Sequence, residues 1–369
     1  MERKIRFIIV GSGWRSMYYV RIAKALPEKF ELCAMLCRTQ EKAERIAAEQ
    51  GIHTTTSVRE CRSLSPDFAV VAVNKDSISE VSAQWLEYGF AVLCETPAAL
   101  ELPQLEKLWR LHEAGGKLAA AEQYIRYPRY QAMLTVLKTG LLGSADCLNI
   151  SLAHEYHGAS LMRALLQEQM TPFLVTGKTY RFPTTETLSR YERFTDGRVA
   201  EKSRTAAVFE FADGKVAFYD FDSEQYRSPI RKNFVKLQGS RGEMKDEVFY
   251  YLDEKNEPQC SRLQLESRTI VTPEQNPNFH EVEEITGITF EGTCVYQPKF
   301  GLCGLSEDET AMAEVMADMA DYARGEKSPA YLLKDALQDA YMAILLRKAV
   351  NTERTVRSEE QIWQTSEKL

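Results

Sequence analysis

The feature that most constrains this chain lies near its start. Arg6 to Val10 reads as a buried strand that runs straight into Gly11-Ser12-Gly13-Trp14-Arg15-Ser16. Met17 to Leu26 then reads as a helix, with Val20, Ile22, Ala23 and Leu26 on its inner face. A glycine turn between a strand and a helix is the layout of a dinucleotide site. The first glycine permits the tight turn, and the second lets a pyrophosphate approach the backbone. The helix N-terminus then offers amide donors and the positive end of its dipole. Ser16 stands where a third glycine is usual, and serine is small enough for helix and strand to pack closely.

The rest of the N-terminal third repeats this rhythm. Glu31–Cys37, Phe68–Val73, Ala91–Cys94 and Lys117–Ala121 read as strands. Gln40–Gln50, Ser77–Tyr88 and Pro103–Glu113 read as helices between them. The strands are apolar throughout rather than alternating, as expected when helices cover both faces of a parallel sheet. The expected fold is α/β, with a doubly wound parallel sheet over residues 1–122. Beyond it the pattern changes. Ala206–Phe211, the turn Asp213-Gly214 and Lys215–Phe221 form a hairpin signal, and Phe234–Gln238 and Val248–Leu252 add strands. Residues 123–369 are therefore read as a second α/β domain with a large, mostly antiparallel sheet. Its late helix, 332–350, is expected to pack back on the first domain.

Composition limits the function classes. The 369 residues carry 46 basic against 53 acidic side chains, a formal net charge of −7. That argues against a nucleic-acid binder. The longest apolar run, Phe68–Val73, is far too short to span a bilayer, so no membrane partner is expected. The eight cysteines include no C-x-x-C pair, and the five histidines have no metal-ligand spacing. No metal is predicted, and a reducing cytoplasm suits the thiols. The second strand ends in Cys37-Arg38-Thr39 with no carboxylate to meet a ribose 2′-hydroxyl. The cofactor expectation is NAD or NADP, leaning to NADP through Arg38.

Several segments in order resemble the glucose–fructose oxidoreductase / inositol dehydrogenase (Gfo/Idh/MocA) family. These are Gly11-Ser12-Gly13, Tyr88 to Pro97 with its Cys94-Glu95-Thr96-Pro97 end, Tyr124 to Pro128 followed by Gly140 to Gly143, Leu237 to Gly242, and the ending with Asp335-Ala336-Leu337 and Thr355-Val356. The resemblance implies a nicotinamide cofactor, sugar or polyol substrates, and a homo-oligomer formed through the open second sheet. It also implies Asn74, Glu95 and Thr96 near the cofactor, and Tyr124 and Arg126 near the substrate. Two departures bear on mechanism. The family's usual lysine after the glutamate is Thr96 here. Its Asp and His on the first helix of the second domain are absent from Gly158 to Leu166.

Other groups must then move the proton. His154-Glu155-Tyr156-His157 leaves a strand and enters that helix. On an extended stretch His154 and Tyr156 would share a face. The candidates are His157 and Tyr156, with Lys75 at the end of the strand 68–73 as another. Arg163 is a candidate anion ligand for the substrate. The segment 178–204 holds seven basic and four acidic residues and reads as a long connection over the active site or towards a neighbouring subunit. The favoured function is NAD(P)-dependent hydride transfer at a sugar-like or polyol hydroxyl or carbonyl. An NAD-recycling glycoside-cleaving enzyme and a non-catalytic dinucleotide sensor or scaffold are the alternatives.

Overall fold

A computed structural model describes residues 3–272 and 276–365. It divides into two compact units. The first takes everything described up to Gln123, then Asp308–Ala340 and the segment from Ile362; the second takes Tyr124–Glu307 and Tyr341–Gln361. The sequence reading assigned everything after 122 to one domain, whereas the chain here returns to the first unit after residue 307.

The first unit is built on a parallel sheet. Its strands are β1 (Ile5–Val10), β2 (Phe30–Leu36), β3 (Thr54–Thr55), β4 (Phe68–Val71), β5 (Val92–Cys94) and β6 (Leu118–Ala120). Its helices are α1 (Ser16–Ala25), α2 (Gln40–Gln50), α3 (Val58–Ser63), α4 (Ile78–Glu87) and α5 (Leu102–Glu113). The strand order is β3-β2-β1-β4-β5-β6, and each neighbouring pair runs parallel. The order reverses between β1 and β4, which is the switch point where such sheets bind ligands. Phe7, Ile8, Ile9 and all of β4 and β5 have no solvent exposure. This is why their sequences are apolar without alternation. β4 is shorter than the apolar run 68–73 because Ala72 and Val73 have already left the sheet. β3 and α3 are too short to carry a periodic signal.

Helix α8 (Glu307–Arg324) joins the first unit through charged pairs. Arg21 Nε meets Glu309 at 2.5 Å, and Arg324 meets Asp67 at 2.8 Å. Lys117 Nζ donates to the Ala323 carbonyl at 2.6 Å. These partners lie 206 to 288 residues apart in sequence, so no local pattern announces them. Helix α9 (Leu333–Thr352) passes from the first unit into the second at Ala340–Tyr341.

The second unit carries an 11-stranded sheet. After helix α6 (Pro128–Leu137) come β7 (Ala145–Ser151), helix α7 (Glu155–Leu166), β8 (Phe173–Thr185), β9 (Val199–Phe211), β10 (Val216–Asp222), β11 (Phe234–Gly239), β12 (Gly242–Lys245), β13 (Val248–Leu252), β14 (Pro258–Val271), β15 (Glu281–Phe290) and β16 (Thr293–Tyr296). The two-residue β17 (Val356–Arg357) closes the β8 edge. Only the β7–β10 pair is parallel among the described pairings. Along β10, Ala217, Tyr219 and Phe221 are buried while Phe218 is exposed, the alternation of a sheet with one covered face. Helix α7 lies close on that covered face. A Cβ on Gly158 would sit 2.6 Å from the Tyr219 ring, and Tyr219 Oη donates to the Ala153 carbonyl at 2.8 Å.

Two expectations are corrected. The segment 178–204 is not a connection but the long arms and tip of the β8–β9 hairpin. Its strands mix charged and aromatic residues because much of the hairpin is exposed. Nor is 154–157 extended: α7 begins at Glu155, with His154 as its N-cap. His154, at the non-helical cap, still has its ring 6.2 Å from that of Tyr156, so the two remain neighbours without an extended stretch.

Candidate functional site

In the first unit the glycine turn sits at the switch point. Gly11 has φ +109°, and a Cβ there would lie 2.4 Å from the Ala72 carbonyl oxygen, so only glycine fits. Its N–H donates to the Leu36 carbonyl at 3.1 Å, pinning the turn between the ends of β2 and β4. Gly13 is the opposite case: a Cβ there meets nothing within 4 Å. The backbone beside it is open to approach, which fits a pyrophosphate at the start of α1. Ser12 and Trp14 are half-buried in the same turn, and the Trp14 ring packs edge-on against Tyr18. Ser16 is wholly buried and its Oγ has no hydrogen-bond partner.

Arg15 looks into the protein. Its Nε meets Glu95 at 2.9 Å and its Nη1 meets Asp308 at 2.8 Å. Tyr19 Oη donates to the same Glu95 oxygen at 2.5 Å. Burial works against the Arg15 charge, but the two carboxylates hold the guanidinium well above its ordinary range. Burial, and next the Glu95 charge, push the Tyr19 phenol well up, so it remains a donor. This network couples the glycine turn to the loop after β5, where the Thr96–Pro97 peptide is cis and Thr96 is half-buried. The neighbouring Cys94 thiol is pushed up to about 12, first by burial and then by Glu95, and is inert.

The other first-unit candidates stand along the same carboxyl edge. Arg38 is exposed just beyond β2, before Thr39 caps α2. Asn74 and Lys75 are exposed in the turn after β4, and Asn74 Oδ1 accepts the Ser77 N–H at 3.0 Å, shaping the entry to α4. Gly11 to Ser16, Arg38, Asn74, Lys75, Glu95 and Thr96 thus follow the ends of four adjacent strands, β1, β2, β4 and β5.

In the second unit an aromatic cluster surrounds the start of α7. The Tyr124 ring lies 4.4 Å from His157 and stacks on Tyr127 at 4.7 Å. Tyr156 is 4.4 Å from His157 on another side. His157 is buried. Tyr226 Oη accepts the His154 N–H at 2.9 Å, and the His154 ring contacts Phe221 and Tyr226. Arg126 is half-buried, and its carbonyl accepts Gln131 Nε2. Arg163 is buried six residues further along α7, about 9 Å along the axis from His157. Its Nε donates to the Gln169 carbonyl at 2.7 Å, so it braces the end of its own helix. Sequence reading did not find Tyr19, Asp308 or Tyr226, which reach their partners across 72 to 293 residues. Among the described residues no group of three or more His, Cys, Asp or Glu side chains could hold a metal ion. No helix among them is long and apolar enough to cross a membrane.

Residues 5–123 match the model of the GFO_IDH_MocA oxidoreductase family, NAD-binding Rossmann fold. The whole chain has the fold of solved NAD-binding oxidoreductases. It resembles an oxidoreductase domain protein from Kribbella flavida (TM-score 0.68, 14% identity, covering 97% of this chain and 100% of that one). It also resembles the WlbA dehydrogenase from Bordetella pertussis, solved with NADH and UDP-GlcNAcA (0.64, 14%, 97% and 100%). A third is myo-inositol 2-dehydrogenase from Lactobacillus plantarum (0.64, 13%, 97% and 100%). No curated protein matches the sequence.

Proposed function

We propose that this chain is an NAD(P)-dependent oxidoreductase that moves hydride to or from a hydroxyl or carbonyl carbon of a sugar-like or polyol substrate. The observation that carries the reading is the turn with Gly11 locked against Ala72 and Gly13 open to a phosphate. Solved proteins of this fold include a myo-inositol 2-dehydrogenase and a dehydrogenase in complex with NADH and UDP-GlcNAcA, which supports the substrate class.

Oxidising an alcohol carbon removes a hydride and a hydroxyl proton, so the chain must supply a proton acceptor; reduction needs the reverse. The nicotinamide, when bound, supplies the hydride chemistry. Gly11 to Ser16 would hold the pyrophosphate, and Arg38 the ribose end, where its charge favours a 2′-phosphate. Asn74, Glu95 and Thr96 would shape the nicotinamide end. We assign the proton to His157, because an imidazole nitrogen can both accept and donate a proton and this ring is enclosed by Tyr124 and Tyr156. Tyr156 and Lys75 are the next candidates. Tyr124 and Arg126 would hold substrate oxygens, and Arg163 has a structural role. The exposed aromatics Phe218, Phe234 and Tyr250 of the large sheet support its use as a contact between copies of the chain.

The test is a panel of sugars and polyols with both cofactors, followed by reduced-nicotinamide absorbance. Turnover of at least one member is expected. His157→Phe should lower it about 100-fold or more with NADH affinity preserved; unchanged turnover removes His157 from the mechanism. Cofactor binding with no turnover gives the sensor reading instead. Glycoside cleavage without net reduced cofactor gives the recycling one.

A further inference from the structure

The strand directions of the large sheet bring five connections to one edge. β8, β10, β12 and β14 run parallel to β7, so their C-terminal ends lie together, with the N-terminal ends of β9, β11, β13 and β15 beside them. At that edge sit the His154–His157 start of α7, the 223–233 connection, the β8–β9 tip, the Asp246-Glu247 turn and Asn276–His280. The two longest hairpins are clasped there. Asn278 Nδ2 donates to the Ser189 and Arg190 carbonyls at 3.0 and 3.1 Å, and Asn276 Nδ2 donates to the Arg190 carbonyl at 2.9 Å. Thr187 Oγ1 donates to Ser228 Oγ at 3.1 Å, joining the tip to the 223–233 connection. That connection reaches the aromatic cluster through Tyr226 and His154.

Charge bookkeeping separates two populations on this edge. Along the β8–β9 hairpin Lys178, Arg181, Arg198, Lys202 and Arg204 all have carboxylate partners, namely Glu353, Glu201, Asp196, Glu186 with Glu224, and Asp220. By contrast Arg193, Arg231 and Lys232 have no carboxylate partner among the described residues. Backbone links tie both segments to Ser228: Arg193 bridges Leu188, the neighbour of Thr187 that bonds Ser228, and the Arg231 N–H bonds the Ser228 carbonyl. The acids at this edge are Glu192; Glu155, paired with Arg347; Asp222, which accepts the Glu224 N–H; Glu224, engaged by Lys202; Asp246, which accepts the Val235 N–H; and Glu247, paired with Arg129.

Resting on the oxidoreductase reading above, we infer that this clasped rim binds an anionic substituent of the substrate, a carboxylate or a phosphate on a sugar. Arg193, Arg231 and Lys232 supply the charge, and Asn276 and Asn278 act as positioning residues that hold the tip in place. A neutral polyol would leave these three cations unused.

The experiment is calorimetric titration of the full-length chain, loaded with NADH, with glucose 6-phosphate, glucuronate, glucose and myo-inositol. The two anionic sugars should bind at least about tenfold tighter than glucose, the worth of one charge-assisted contact. Glucose 6-phosphate against glucuronate tells phosphate from carboxylate. Arg193→Ser with Lys232→Ser should abolish that preference while leaving NADH affinity and melting temperature unchanged. Asn278→Ala, which removes no charge, should lower it about threefold. Equal affinities for charged and neutral sugars, or a preference that survives the double variant, would overturn the inference. So would a short DNA duplex or heparin binding tighter than either sugar anion, which marks a polyanion surface. NADH binding is read separately: selective anion binding without it rejects the oxidoreductase reading and keeps the rim, and the converse does the reverse.

Discussion

The two sheets of this protein manage their surfaces in opposite ways. In the first unit the central strands are apolar and wholly covered, and Asp67, Glu95 and Glu309 are buried carboxylates met by arginines. In the second unit strands alternate and one face stays open, and its buried carboxylates Glu168 and Glu284 are met by Lys215 and Arg268. The difference follows from the partners each sheet has. A parallel sheet connected by helices is covered on both faces by its own connections. An antiparallel sheet of hairpins carries no such obligatory cover. A nucleotide site needs a rigid turn, which the first arrangement supplies; a site that selects among substrates can be built from long hairpin tips.

Core substitutions would break this comparison most directly. Ile9→Ala, at a wholly buried position of β1, should cost about 3 kcal/mol or more. Phe218→Ala, on the open face and 43% exposed, should cost under about 0.5 kcal/mol in dilute monomer. Denaturant melts of both variants decide it, and equal losses would mean that the open face is as well packed as the first core.

Asp67 probes the buried charges. Its side chain is 2% exposed and meets Arg324 and Arg3, both at 2.8 Å. Asp67→Ala should cost about 3 kcal/mol, because it leaves Arg324 without its carboxylate. Burial alone would raise the carboxyl, but the hydrogen bonds from Arg324 and the Arg6 amide, with the charges of Arg324 and Arg3, hold it below its ordinary range. A folded value lower than the unfolded one gives stability that is full above about pH 4 and lost as pH falls through the folded value. Thermal melts from pH 6 to pH 2 should show that acid slope shallower in Asp67→Asn.

Gly11→Ala sharpens the nucleotide end. The new Cβ meets the Ala72 carbonyl at 2.4 Å in a left-handed backbone, so the turn must shift. NADH affinity should fall about 100-fold, whereas Gly13→Ala should cost less in fold stability because its Cβ position is empty. The smallest effect is expected at Arg38. Arg38→Ala should weaken NADPH about tenfold and NADH less than twofold; equal losses would show that Arg38 does not read the 2′-phosphate.

Legibility in the sequence followed the same division. β4 and β5 could be read because burial on both faces leaves an unbroken apolar run, and β1 and β2 because each keeps a buried apolar stretch, Phe7–Val10 and Cys33–Met35. The glycine turn could be read because its chemistry is local, contained in Gly11 to Ser16. β8 was missed, since Lys178, Tyr180, Arg181 and Phe182 on an exposed hairpin carry neither an apolar run nor a clean alternation. The start of α7 was read as extended because His154 to His157 have no strong helical signature. In fact Gly158 lies inside the helix, where it makes room for the Tyr219 ring.

By itself the sequence determined the local grammar: a strand, a glycine turn and a helix, repeated as a parallel nucleotide-binding sheet, then a second sheet of hairpins. Those features depend on neighbours a few residues away, through backbone conformation and the burial periodicity of one element. The tertiary structure alone decided that Arg15 turns to Glu95 and Asp308, that α8 belongs to the first unit, and that Asn278 clasps the tip of a hairpin nearly ninety residues earlier. Such contacts join positions tens to hundreds of residues apart, and a single sequence carries no periodic trace of them.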